Sequence, residues 1–98
     1  MEKSEVVDLI KKRLSGFEEI ERIVIFGSFF RKQDPGDIDI AIFQHSHENY
    51  LTLALRYRKA LRELAREMAL DILPIRPSST SSDPMLREIG KGSIIYER

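Results

Sequence analysis

The chain has 98 residues, long enough for one domain built on one core, and 42% of them are hydrophobic, as a globular core requires. Lys plus Arg and Asp plus Glu are 16 each, a net charge of zero that excludes a general nucleic-acid binder, which needs a basic surplus or a basic face. There is no cysteine, which excludes disulfides and thiolate metal sites. The opening MEKSEVVDLIKKRL has no apolar signal-type core and no apolar run is of bilayer length, so the expectation is a single domain over residues 1–98, cytoplasmic and with no membrane partner.

In chain order, Ser4 to Leu14 reads as a helix. Ser4 is the predicted cap, Glu5 and Asp8 lie in the early turns, and Lys11, Lys12 and Arg13 lie at the end, as the helix dipole favours. Val6, Val7, Ile10 and Leu14 share its apolar face, and Gly16 is the predicted stop. Ile20 to Phe26 follows as a strand whose run Ile23-Val24-Ile25-Phe26 is apolar on both faces, the pattern of a central strand. Gly27 and Ser28 end it, and Phe29 to Lys32 is expected to begin a short helix.

Gln33-Asp34-Pro35-Gly36 has turn composition, and Asp37 to Phe43 is the second strand. QHSHEN (44–49) is a polar connector to the longest predicted helix, Tyr50 to Ala69, with Tyr50, Ala54, Tyr57, Leu61, Leu64, Ala65 and Met68 at helical spacing. Leu70 to Ile75 reads as a third strand ending near Pro74. PSSTSSD (77–83) is a polar loop whose Asp83 would cap a short helix from Pro84 to Ile89, stopped by Gly90; Ser93 to Tyr96 makes a last short strand. The fold class is α/β (α+β): a mixed sheet of three to four strands flanked by helices.

The chemistry concentrates in the second strand. Side chains at i and i+2 of a strand share a face, so Asp37 and Asp39 project together, with Cβ atoms roughly 6–7 Å apart, while Ile38, Ile40 and Ile42 line a buried face. At an effective dielectric of about 20 the two acids repel by roughly 2.5 kcal/mol. A pair tolerated beside a core calls for a positive charge between its members, and a divalent metal is the leading candidate; a bond to a loop N–H or an arginine is the plainer alternative. Asp71, at the head of the third strand, is brought beside Asp39 if the two strands are neighbours. Three carboxylates without thiols or paired imidazoles describe an oxygen-liganded site suited to Mg²⁺ or Mn²⁺. His45 and His47 are loop residues with no other zinc ligands near them in the sequence. Gly27 permits close approach to the backbone, and Ser28 at a helix start would offer free N–H groups to an anion that Arg31 could also reach; taken alone, each also fits an ordinary turn and a solvated arginine.

Taken together, GSFFR followed by GDIDIAI resembles the signature of the polymerase-beta-like nucleotidyltransferase superfamily. The whole chain, to its ending GSIIYER, resembles the minimal nucleotidyltransferases, antitoxins of two-gene toxin–antitoxin modules. Gly27, Ser28, Arg31, Asp37, Asp39 and Asp71 take the family's motif positions, whereas Phe29, Lys32 and Gly36 stand where the family often has Arg, Gly and Ser. The resemblance implies that Asp37 and Asp39 hold two Mg²⁺ ions (Mn²⁺ as a substitute), that Asp71 holds one of them and helps take the proton of the attacking hydroxyl, and that the Gly27–Ser28 turn and Arg31 grip the phosphates of ATP. It implies AMP transfer to a tyrosine of a HEPN-type toxin. The alternatives are an antitoxin that neutralises by binding alone and, less well matched to so small a chain, nucleotidyl transfer to a small molecule. Little chain remains to build an acceptor-holding domain, so the acceptor side should be open and completed by another protein.

Overall fold

The computed structural model describes residues 1–77 and 84–98. Four strands, β1 (Ile20–Phe26), β2 (Asp37–Gln44), β3 (Ala69–Ile75) and β4 (Ser93–Glu97), form one mixed sheet in the order β3-β2-β1-β4. The helices are α1 (Lys3–Leu14), α2 (Tyr50–Ala60), α3 (Arg62–Ala65) and α4 (Pro84–Gly90). The apolar run in β1 is central, as its composition predicts, because β1 pairs antiparallel with both β2 and β4. β2 and β3 are parallel, which requires a crossover, and α2 and α3 supply it. Among the described residues no helix is long and apolar enough to cross a membrane.

The strand alternation separates two cores. Ile38, Ile40 and Ile42 of β2 join Ile23 and Ile25 of β1 and Leu70 and Ile72 of β3, under Val6, Ile10 and Leu14 of α1 and Leu53, Tyr57 and Leu64 of the crossover. On the opposite face Val24, Phe26 and Ala41 pack against Ile89 of α4, a smaller cluster that leaves part of that face open. The buried Tyr57 hydroxyl donates to Glu19 Oε2 at 2.8 Å. Burial first, and then the Glu19 carboxylate, raise its pKa, which keeps it a donor.

Several local expectations are corrected. Helix α1 is capped by Glu2 rather than Ser4: Glu2 and Glu5 form a reciprocal capping box, with the Glu2 N–H donating to Glu5 Oε1 at 2.9 Å. Residues 27–31 form a turn and no helix. The long helix is not continuous to Ala69. It breaks at Leu61, whose φ of −102° and ψ of 22° leave the helical region, and its buried stripe runs Leu53, Tyr57, Leu61, Leu64, with Tyr50 53% exposed. After α3 the chain turns, the N–H groups of Glu67 and Met68 both donating to Leu64 O, and β3 starts at Ala69 with its N–H on Gly36 O at 3.0 Å. That contact sets the register of the two acid-bearing strands. Strand β3 runs through Pro74 to Ile75; it is an edge strand, where a missing N–H is tolerated. The polar loop and the Asp83 cap predicted over residues 78–83 lie outside the described residues.

Candidate active site

Asp37 and Asp39 stand on the face of β2 opposite its isoleucines, at the end where β1 finishes. Asp39 is the direct neighbour of Asp71 across the parallel β2–β3 pair, and Asp37 pairs with Ala69 two residues before. Asp71 therefore falls beside Asp39 because Ala69 is held on Gly36. Asp37 and Asp71 are exposed and Asp39 is half-buried. Burial, then the charges of Asp71 and Asp37, then a hydrogen bond with Asp71 raise the Asp39 carboxyl above its ordinary value of 3.8. The mutual repulsion of these carboxylates is relieved by a positive charge from outside the group.

On its other side Asp39 is opposite Phe26, the last residue of β1. The next residue, Gly27, has φ +75°, and a Cβ there would lie 2.3 Å from Asp39 Oδ2. Glycine is thus required twice, for the left-handed backbone and for the carboxylate lying against it. The group that approaches Gly27 closely is Asp39. Beyond Gly27, the Ser28 carbonyl accepts the N–H groups of Arg31 and Lys32 at 3.1 and 3.0 Å, closing one turn. Among the described residues the N–H groups of Ser28, Phe29 and Phe30 have no hydrogen-bond partner, so successive donors remain free for an anion even without a helix. Phe29, 1% exposed, plugs the turn into the core; Ser28 is half-buried and Arg31 exposed. Arg31 forms no ion pair with a described residue.

The three acids pair with no Lys, Arg or His among the described residues. Nor do any three His, Cys, Asp or Glu side chains there stand already gathered as a cation cage. The donor set nonetheless fits a hard divalent ion: oxygen ligands only, and a raised Asp39 whose ionisation a cation would favour. The site is open. Neither a cavity of about 530 Å³, lined by Arg22, Phe43, His45, Arg76 and Leu86 among others, nor one of about 370 Å³ between Tyr50, Leu73 and Met85 touches the acids. His45 lines the first of these, and both His45 and His47 are exposed, apart from the acids.

Residues 8–98 match the family described as Polymerase beta, Nucleotidyltransferase. The chain belongs to that family. No curated protein matches it. Among solved structures, a toxin–antitoxin complex named MntA–HepT matches at TM-score 0.59 and 14% identity, over 97% of this chain and 69% of that one. A mutant form of the complex matches at TM-score 0.64 and 15% identity, over 100% and 74%. A tri-AMPylated HEPN toxin from Shewanella oneidensis in complex with an MNT antitoxin matches at TM-score 0.54 and 17% identity, over 97% and 69%. At these identities the likeness establishes a shared fold, the small nucleotidyltransferase fold.

One further glycine position is required by packing rather than by the site's chemistry. A Cβ at Gly92 would meet Ile25 O at 2.6 Å and Phe26 Cβ and Val24 Cγ1 at 2.8 Å, so glycine lets the corner between α4 and β4 lie directly on the end of β1. In the sequence Gly92 opens the ending GSIIYER; the contact that demands glycine there is with residues distant in the chain.

Proposed function

We propose that this chain is an antitoxin of the minimal nucleotidyltransferase kind, transferring AMP from ATP to a tyrosine hydroxyl of a HEPN-type toxin and so silencing it. The observation that carries the reading is the register that sets Asp39 against Asp71, with Asp37 on the same face, beside a turn with three unpartnered N–H groups. The tri-AMPylated HEPN toxin held by an MNT antitoxin in a structure of the same fold supports the choice of AMP and of partner.

In this reading the N–H groups after Gly27, with the Ser28 hydroxyl, take the β- and γ-phosphates, and Arg31 steadies them. Asp37, Asp39 and Asp71 would hold divalent ions, Mg²⁺ or Mn²⁺, whose chemistry is to neutralise charge on the phosphates and acidify the incoming hydroxyl. In this reading Asp71, exposed at the open edge of the acid group, accepts the tyrosine proton. The phenolate oxygen bonds to the α-phosphorus, the bond from that phosphorus to the β-bridging oxygen breaks, and pyrophosphate leaves. The chain contributes orientation and preset charge rather than covalent chemistry. The open acid face leaves the acceptor side to the toxin.

The test is label transfer from α-labelled ATP to the cognate toxin, with and without divalent ion. Label on a toxin tyrosine, lost with Asp39→Ala, supports the reading; no label with ion present and toxin bound removes it. The acids, not gathered into a cation cage among the described residues, favour one other reading, neutralisation by docking alone. Under it, Asp37→Ala and Asp39→Ala still neutralise the toxin.

A further inference from the structure

The loop joining β1 to β2, residues 27–36, is irregular for most of its length. Its inner half is anchored by the Phe29 ring, which meets Phe30 edge-on at 5.1 Å. Its outer half is not: among the described residues Gln33 and Asp34 make no hydrogen bond or ion pair. A cavity of about 620 Å³, lined by Lys3, Phe29, Gln33, Asp34, Pro35 and Met68 among others, lies against this part of the loop. Packing leaves the loop room to move there, and irregular loops of this length move unless something ties them.

What reaches across is Lys3, the first residue of α1. Its Nζ donates to Phe30 O at 3.2 Å and also to Lys32 O, and lies 5.9 Å from the centre of the Phe29 ring. Phe30 O belongs to the peptide unit entering Arg31 and Lys32 O to the unit leaving Lys32, so one ammonium holds the backbone on both sides of the Arg31–Lys32 pair. Donors that carry a charge make the stronger class of hydrogen bond. We infer that Lys3 is a positioning residue for the nucleotide: it ties the loop into the shape that presents the Ser28 turn and Arg31 to a triphosphate. This rests on the nucleotide-binding reading above. Lys3 touches no reacting atom; it acts through the loop backbone. Its distance in sequence from the Gly-Ser motif is why no motif contains it.

The experiment measures the affinity of the full chain for Mg²⁺–ATP by calorimetry, and hydrogen exchange at the Arg31 and Lys32 amides, in wild type, Lys3→Met, Lys3→Arg and, as an α1 control, Lys11→Met. Lys3→Met keeps the aliphatic stem and loses both bonds, so ATP binding should weaken about tenfold, the scale of one lost charge-assisted hydrogen bond. Exchange at both amides should quicken, and Tm should stay within about 2 °C. Lys3→Arg should restore affinity and protection, which a general loss of helix stability would not allow, and Lys11→Met should change neither. Unchanged ATP affinity and unchanged exchange in Lys3→Met overturn the inference, as does a loss that Lys3→Arg cannot restore. If the wild type binds no ATP, the transfer reading fails by itself, and exchange alone decides the tie: quicker in Lys3→Met upholds it, unchanged removes it.

Discussion

On one face of β2, Ile38, Ile40 and Ile42 are at most 1% exposed beneath α1 and the crossover; on the other, the chain runs from the open Asp37 and half-open Asp39 to the buried Ala41 near α4. The same strand thus carries a face that holds the domain together and a face that weakens it. The acids repel one another, and burial with that repulsion leaves Asp39 holding its proton more tightly than an isolated carboxyl does. Adjacent residues should therefore respond to substitution in opposite ways, and that contrast can be tested position by position.

The largest expected effect is on chemistry. Asp39→Ala should lower the proposed AMP transfer by about a thousandfold, the scale on which losing preset charge at a transition state acts, while circular dichroism and cooperative melting survive. One residue along, Ile40→Ala should do the reverse: it should cost about 2–5 kcal/mol in denaturant unfolding through the cavity it leaves, with transfer per folded molecule retained. Gly27→Ala lies between these, because it forces a strained φ and meets the Asp39 carboxylate; it should cost about 1–3 kcal/mol and lower transfer as well. In Gly27→Ala combined with Asp39→Ala the clash is gone and the strain remains, so the stability loss should be less than the sum, measurable as a double-mutant cycle.

The smallest effect is on pH dependence. Asp39 is raised in the fold, so the native state binds its proton more tightly than the unfolded chain does between 3.8 and the raised folded value. Without divalent ion, this group's contribution to stability should fall as pH rises through that window, and its full penalty should persist at neutral pH. Asp39→Asn removes the penalty, so its Tm at pH 7 should exceed that of the wild type, with the difference closing in acid. Added Mn²⁺ should raise the wild-type Tm more than that of Asp39→Asn.

Much of this contrast is legible in the sequence, since a strand has a period of two: Ile at 38, 40 and 42 against Asp at 37 and 39 marks a buried and an open face without reference to the rest of the chain. The central place of β1 follows as directly from its unbroken apolar run. The features set by distant contacts are not legible. The helix break at Leu61 involves neither Pro nor Gly, and i→i−4 bonds from the N–H groups of Leu61 and Ala65 run across it. Helical periodicity does not show where a helix stops, and over 50–69 it favours Tyr50 over Leu53. Ser4 is a good cap by residue type, yet the Glu2–Glu5 pair satisfies the free N–H groups from both sides. The site shows the same limit: Asp37 and Asp39 are apparent from their spacing, Asp71 depends on which strand becomes the neighbour of β2, and Lys3 and Gly92 depend on contacts across the fold.

A crystal soaked with Mn²⁺ and a non-hydrolysable ATP analogue, read at the manganese absorption edge, bears most directly on the acid face. The expected result is anomalous density touching Asp39 and Asp71, with Asp37 alongside and the analogue's phosphates on the turn after Gly27. Contradiction would be an acid face without manganese at saturating ion and nucleotide.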